Sequence, residues 1–271
     1  MSNRANSNVY IIKVGGGADI NLEGIARDLA TIDGPALVVL GANAVRDDLL
    51  ERLGAAKTVL TSIKGYSSVL SDAPAIDAIL MSYAGLRAGR FVELCQRNGV
   101  NAVGLAGIDG RAIQGERNQG IRVREGGKTL LKRDFSGKPR DVNKQLLGML
   151  MGNGYVPVIT IPILDENGFA INSENDDIVN TLQRAFGAEH VVQLIEAPGF
   201  LDDKNDPDSM LSSLSRIELE RREQQVDGRI KRKLLALRRL LEAGASKIVI
   251  GDGRTESPVR DALAGKGTTV Q

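Results

Sequence analysis

Short apolar runs recur along this chain, with a helical pattern between most successive pairs, and that rhythm leaves few folds open. Val9–Val14, Ala36–Leu40, Ala102–Leu105, Val156–Ile161, Val191–Ile195, Lys247–Ile250 and Thr268–Val270 read as strands, several rich in β-branched residues. Helical patterns fill Leu22–Thr31, about Asn43 to Leu53, Ala75–Asn98, Val142–Met151, Asp176–Phe186, Arg229–Ala243 and Pro258–Ala264, with Asn21 a good N-cap for the first. Strands without polar alternation are buried on both faces, so the expectation is an α/β chain with an open, mainly parallel central sheet sandwiched by helices. Ligands of such sheets gather beyond the carboxyl ends of the strands, where several loops here begin with Gly, Asn or Asp. Arg111–Arg140 breaks the rhythm. Its short runs, 121–124 and 129–132, flank Glu125-Gly126-Gly127 and predict a hairpin. The polar stretch Asp202–Ser215 reads as loop, and a boundary near 161–172 would divide residues 1–165 from 166–271 while leaving one continuous sheet.

Composition removes several function classes. A chain of 271 residues can bury a large core in one or two domains. Its net charge of +1 provides no global field for nucleic acid, and 3% aromatics leave little to stack on exposed bases. The single Cys95 lies among Phe91, Val92 and Leu94 and reads as core; one cysteine excludes an intramolecular disulfide and fits a reducing, cytoplasmic setting. With His190 the only histidine, there is little material for a His/Cys metal site, and no metal ligands are assigned. No apolar run approaches a membrane span, and Met1–Asn8 lacks a signal-peptide core.

Chemistry concentrates in four loops. The first strand delivers Lys13 onto Gly15-Gly16-Gly17. Glycines let backbone N–H groups approach a polyanion and the lysine adds a point charge, although a plain strand–turn–helix with a surface lysine reads the same. The lysine precedes the glycines, so this is not a P-loop. In Asn172-Ser173-Glu174-Asn175-Asp176-Asp177, the residues 172, 174 and 176 would share one side if extended; a capping cluster is the simpler reading. Asp227-Gly228-Arg229-Ile230-Lys231-Arg232-Lys233 crowds cations into a helix start, which the macrodipole disfavours unless an anion sits there. Gly251-Asp252-Gly253-Arg254 and Gly265-Lys266-Gly267-Thr268 read as turns.

Taken in order, Lys-Val-Gly-Gly (13–16), Gly-Leu-Ala-Gly-Ile-Asp-Gly (104–110), Gly-Tyr-Val-Pro-Val-Ile (154–159), Ile-Asn-x-x-x-Asp (171–176), Ala-Pro-Gly-Phe-Leu (197–201), Gly-Arg-Ile-Lys-Arg-Lys (228–233), Gly-Asp-Gly-Arg (251–254) and Gly-x-Gly-Thr (265–268) resemble the amino acid kinase family over almost the whole chain. The acetylglutamate kinase branch is the nearest in pattern. Within it, the motifs at 228–233 and 251–254 resemble the subgroup acting on glutamate or aminoadipate attached to a small acidic amino-group carrier protein of the LysW type. The resemblance implies ATP-dependent phosphorylation of a side-chain carboxylate, with Mg2+ carried mainly by the nucleotide phosphates. It makes 1–165 the acceptor lobe and 166–271 the nucleotide lobe. By the same resemblance Lys13 and Lys233 neutralise the transferring phosphoryl group and Asp176 orients both. Gly15 and Gly16 hold phosphate through backbone N–H groups. Pro198, Gly199, Phe200 and Lys231 belong to the nucleotide site, and Gly41, Ala42, Asn43, Val69 and Asn172 to the acceptor site. A homodimer through the helix at 75–98 is also implied.

The chain departs from the family pattern on the acceptor side. Leu40-Gly41-Ala42-Asn43 stands where a His-Gly-Gly loop is expected, and Val69 stands where an arginine would clamp the acceptor's α-carboxylate. Lys64 is a candidate substitute for that charge. Glu174, Ile195 and Glu196 also differ from the pattern, so an altered acceptor or a specialised pathway is expected while the transfer core is kept. The hairpin region 111–140 carries nine Lys/Arg against three acids, about +6 by formal charge. A solvated hairpin would explain this; so would a docking face for an acidic carrier, with Lys128, Lys132 and Arg133 as the contacts. Two alternatives stay open: a kinase for a free N-acyl amino acid, or a catalytically weak member that serves as a binding or regulatory subunit.

Overall fold

A computed structural model describes residues 9–55, 58–63, 67–203, 205–226 and 228–271. Lys64 and Asp227, singled out above, lie outside the described residues. In chain order, β1 (Tyr10–Val14), α1 (Leu22–Leu29), β2 (Ala36–Leu40) and α2 (Asn43–Arg52) are followed by a short antiparallel pair, β3 (Val59–Thr61) and β4 (Ser67–Val69). Next, α3 (Ala73–Ile79), a π-helical segment (Leu80–Arg87) and α4 (Ala88–Arg97) run on to β5 (Ala102–Ala106). The excursion comprises β6 (Ile113–Arg117), β7 (Ile121–Glu125), β8 (Lys128–Lys132) and β9 (Gly137–Val142). After α5 (Lys144–Gly152) come β10 (Val156–Thr160), β11 (Ile163–Leu164), β12 (Ala170–Ile171), α6 (Asn175–Phe186) and β13 (His190–Ile195). The chain continues through β14 (Ser213–Leu214), α7 (Arg216–Gln225), α8 (Gly228–Glu242), β15 (Lys247–Asp252), α9 (Pro258–Leu263) and β16 (Thr268–Val270).

The expected sheet is present. Eight strands take the order β14-β16-β15-β13-β1-β2-β10-β5, parallel throughout except for the β15–β16 pair. Side chains of β1 and β2 alternate between two cores. Ile11, Leu37 and Val39 join the layer that contains Ile178 of α6 and Leu237 of α8. Ile12, Val14, Val38 and Leu40 join the layer that holds Phe91 and Cys95 of α4 and Val259 of α9. That pleat decides the position of the candidate lysine: Lys13, two residues on from Ile11, faces α6 and α8. Cys95 is a core residue, its thiol pushed up to about 12 by burial.

Several local expectations need correction. Helix α5 begins at Lys144, because Val142 is the last residue of β9 and Asn143 caps the helix by accepting from the Leu146 N–H. The stretch expected as loop at 202–215 contains the 3-10 turn Pro207–Ser209 and contributes Ser213–Leu214 as the edge strand β14, where fully buried Leu214 supplies the driving force. The predicted hairpin is present as β7–β8, but it is flanked by a four-stranded sheet in the order β12-β11-β6-β9.

Candidate active site

The site forms where the carboxyl ends of β1 and β2 meet the N-terminus of α6. Lys13 Nζ lies 3.0 Å from Asp176 Oδ1, although 163 positions separate them in the sequence. Asp176 is in the first turn of α6, within the helix expected over Asp176–Phe186, rather than in an extended run with Asn172 and Glu174. Glu174 is the N-cap residue, but its side chain does not cap the helix; it pairs instead with Arg232 of α8. This ion pair lies one position from Lys233.

Electrostatics tie the three groups together. Burial disfavours the Asp176 carboxylate, but Lys13, then Lys233 and Arg232, more than offset that and hold it below the usual carboxylate range. Lys233 shows the opposite balance. Burial and then the Lys13 charge pull it down to about 8, with Asp176 compensating in part. Two ammonium groups held around one carboxylate leave net positive charge beside the glycine loop, the field a transferring phosphoryl group requires. Gln193, the β13 register partner of Lys13, is 1% exposed and neither of its side-chain polar atoms is hydrogen-bonded. Ser173 Oγ and Asn175 Oδ1, flanking Glu174, are likewise buried without a hydrogen bond. A polar ligand at this helix terminus would relieve that deficit.

The two loops that face this centre interlock. A Cβ placed on Gly16 would lie 2.5 Å from Asn43 N and 2.8 Å from Ala42 N, so only glycine permits this approach to the N-terminus of α2. The Gly16 carbonyl accepts from Ala44 N at 2.8 Å. One expectation changes here. The Gly15 N–H donates to Leu194 O at 2.9 Å and continues the β1–β13 ladder, so it is committed to the sheet, whereas the Gly16 N–H makes no hydrogen bond among the described residues. Gly41 is committed in the same way, to Val14 O at 2.9 Å. Ala42 adopts a φ of −146°, which does not need glycine, and Asn43 Oδ1 accepts from the buried Tyr83 hydroxyl at 2.7 Å.

Next to α2 lies a cavity of about 230 Å³, lined by Arg46, Val69, Ser71, Asp72 and Asn172 among others. Asn172 Nδ2 donates to Ser71 Oγ at 3.0 Å, and Asp134 Oδ2 accepts from the Ser71 N–H at 2.9 Å. Val69 and Asn172 thus share one space, and the loop leaving the basic hairpin forms its support through Asp134. On the hairpin, Lys128 and Arg133 are exposed, as are Leu130 and Leu131, whereas Lys132 is paired with Glu125 at 3.1 Å.

Pro198, Gly199 and Phe200 follow β13 on the other side of the sheet's centre. The Phe200 N–H donates to Thr268 Oγ1 at 2.8 Å, and a Cβ on Gly199 would lie 2.6 Å from that oxygen. Thr268 is fully buried, so the Gly-Lys-Gly-Thr turn that sequence left unassigned positions the 198–200 turn. Glu196 accepts from Asp19 N at 2.7 Å and packs against Gly17, while Lys231 is half-buried in the first turn of α8. Among the described residues no cluster of three or more His, Cys, Asp or Glu side chains could hold a metal ion, and no helix is long and apolar enough to cross a membrane.

A family model described as the amino acid kinase family matches residues 8–252. The chain belongs to that family. It is accordingly an enzyme of the phosphotransferase class. A LysW-aminoadipate kinase of Thermus thermophilus is 37% identical over 269 residues, covering 97% of this chain and 100% of that protein. A protein of the same name from Deinococcus radiodurans is 34% identical, covering 97% and 91%. An acetylglutamate kinase of Methanopyrus kandleri is 29% identical, covering 96% and 99%. Among solved structures, the fold is shared with N-acetylglutamate synthase of Neisseria gonorrhoeae (TM-score 0.78, 16% identity, 97% of this chain and 59% of that one) and Giardia carbamate kinase (TM-score 0.66, 16% identity, 98% and 99%).

Arg46, Tyr83 and Gln193 went unassigned in the sequence, and Thr268 entered only as part of the Gly-x-Gly-Thr motif. Arg46 begins the charged run Arg-Asp-Asp, which reads as a solvated helix face, and Gln193 interrupts an apolar strand by a single polar residue. That interruption was the one legible signal.

Proposed function

We propose that this chain transfers the γ-phosphoryl group of ATP to the side-chain carboxylate of an aminoadipate or glutamate residue carried on a small acidic protein. The observation that carries the reading is the convergence of Lys13, Asp176 and Lys233 beside the Gly16 loop and the cavity that contains Asn172. The acceptor carboxylate oxygen forms the new bond to the γ-phosphorus as the bond to the ADP oxygen breaks, leaving an acyl phosphate. Lys13 and Lys233 neutralise the equatorial oxygens, and Asp176 holds both ammonium groups in position. The Gly16 N–H, with the N-terminus of α2 behind it, receives a phosphate oxygen. Pro198, Gly199, Phe200 and Lys231 take the nucleotide, and Mg2+ accompanies its phosphates. Relatives named LysW-aminoadipate kinase support the choice of acceptor.

The carrier docks on the hairpin through Lys128, Lys132 and Arg133, with exposed Leu130 and Leu131 between them. This places its substrate next to Ser71, which Asp134 anchors to the same segment. The protein works in the cytoplasm as a homodimer joined along residues 73–97, where Met81 and Leu86 are exposed. The test compares turnover on carrier-bound aminoadipate with turnover on free N-acetyl-aminoadipate, for the native protein and for a triple charge reversal at 128, 132 and 133. Carrier-bound turnover should fall at least tenfold in the variant and weaken steeply with salt, while free-acceptor turnover is unchanged. Equal loss on both acceptors would refute docking. Absence of turnover on either would favour a binding subunit.

A further inference from the structure

Among the described residues, Arg46 is the one permanently charged cation that lines the 230 Å³ cavity, and it is 7% exposed. A buried guanidinium is costly unless its donors are satisfied, and it carries five. Nε and Nη2 donate to a single oxygen of the neighbouring Asp47, at 3.0 and 2.8 Å, while Nη1 makes no hydrogen bond among the described residues. The position is also unfavourable for the helix. Arg46 lies in the opening turn of α2, where the macrodipole disfavours its charge, and the Asp47 carboxylate offsets this through one oxygen on one edge of the guanidinium. Elsewhere in the lining Val69 offers no charge, Ser71 and Asn172 offer only neutral polar groups, and the Asp72 carboxylate is engaged as the N-cap of α3, accepting from the Ala75 N–H at 3.0 Å. Gly16 abuts Ala42, the N-cap of α2, and Asn43, its first residue, and Arg46 follows three residues after Asn43, about 4.5 Å along the helix axis.

We propose that Arg46 binds the non-reacting carboxylate of a dicarboxylate acceptor whose other carboxylate receives the phosphoryl group. The inference rests on the function proposed above and specifies what that acceptor must carry. A guanidinium fork matches a carboxylate in two-point geometry, and the distance from Arg46 to the Gly16 loop then selects acceptors by chain length. Val69 is apolar because the clamp has moved to the facing helix.

The test measures binding of N-acetyl-aminoadipate and of its α-carboxamide by calorimetry, in the native protein, Arg46→Ala, Arg46→Lys and the double change Arg46→Ala with Val69→Arg. Arg46→Ala should weaken the dicarboxylate roughly 10- to 100-fold. It should leave the carboxamide, already weak, nearly unaffected, and Arg46→Lys should fall between. The double variant, with a guanidinium returned from the other wall, should recover at least part of the loss. Equal weakening of both ligands, or undiminished dicarboxylate binding by Arg46→Ala, overturns the assignment. Because the readout is binding, a native protein that binds the dicarboxylate but transfers no phosphoryl group to it, free or carrier-bound, would refute the proposed function and leave this assignment standing. A native protein that binds no dicarboxylate would refute the assignment.

Discussion

Lys233 should be a residue that the protein keeps at the expense of its own stability. Its ammonium is held at about 8 against an ordinary 10.5, chiefly by burial and then by Lys13. Binding the proton in the folded state is therefore less favourable than in the unfolded chain by roughly 3 kcal/mol, an upper figure because relaxation and water access reduce it. The unfolded chain holds the proton more tightly, so the penalty is fully present below pH 8 and is relieved as pH rises from about 8 towards 10.5. Lys233→Met removes the charge and retains the aliphatic stem. At pH 7 it should raise stability by about 1–3 kcal/mol, a rise of several degrees in Tm for a chain of this size. Acyl-phosphate formation should drop by at least a hundredfold. Urea unfolding at pH 7 and pH 10, alongside hydroxamate trapping, reads both quantities. The native protein should gain on the variant between the two pH values. A variant less stable than the native protein at pH 7, or one that keeps its turnover, would refute the reasoning.

Two further perturbations probe the same centre. Asp176→Asn removes the charge that supports Lys233, so the alkaline limb of kcat/KM should move to lower pH, by roughly one unit or more, together with a large loss of rate; an unmoved limb would separate Asp176 from Lys233. Gly16→Ala forces a methyl group to 2.5 Å from Asn43 N, so ATP turnover should be lost while circular dichroism shows the sheet intact; full activity would mean the two loops can separate freely.

The main sheet was legible because β1, β2, β10 and β13 are nearly unbroken apolar runs, the mark of strands covered on both faces. The β3–β4 pair was not, since three-residue strands carry no usable period. Helix α7 was missed because Arg216–Gln225 is polar nearly all round and buries only Leu219; its Ser215–Glu218 capping box was the available signal. The site divides along similar lines. Lys13 and its glycines read in the sequence as a phosphate loop or a plain turn alike, and their partnership with Asp176 and Lys233 depends on the packing of α6 and α8 against one face of β1, which no local pattern encodes. Arg46 was invisible for the reverse reason. Its charge argues for solvent, and only the walls formed by β4, α3 and Asn172 enclose it.

The central claim is that phosphorus moves from ATP to a carboxylate oxygen. Carrier-bound aminoadipate labelled with 18O in its side-chain carboxylate, incubated with ATP and then with hydroxylamine, tests this most directly. Hydroxylamine attacks the acyl carbon and releases phosphate together with the bridging oxygen. The account predicts one 18O atom in each released phosphate, with hydroxamate formed in equal amount. Unlabelled phosphate, the product of water attack on ATP, would contradict it.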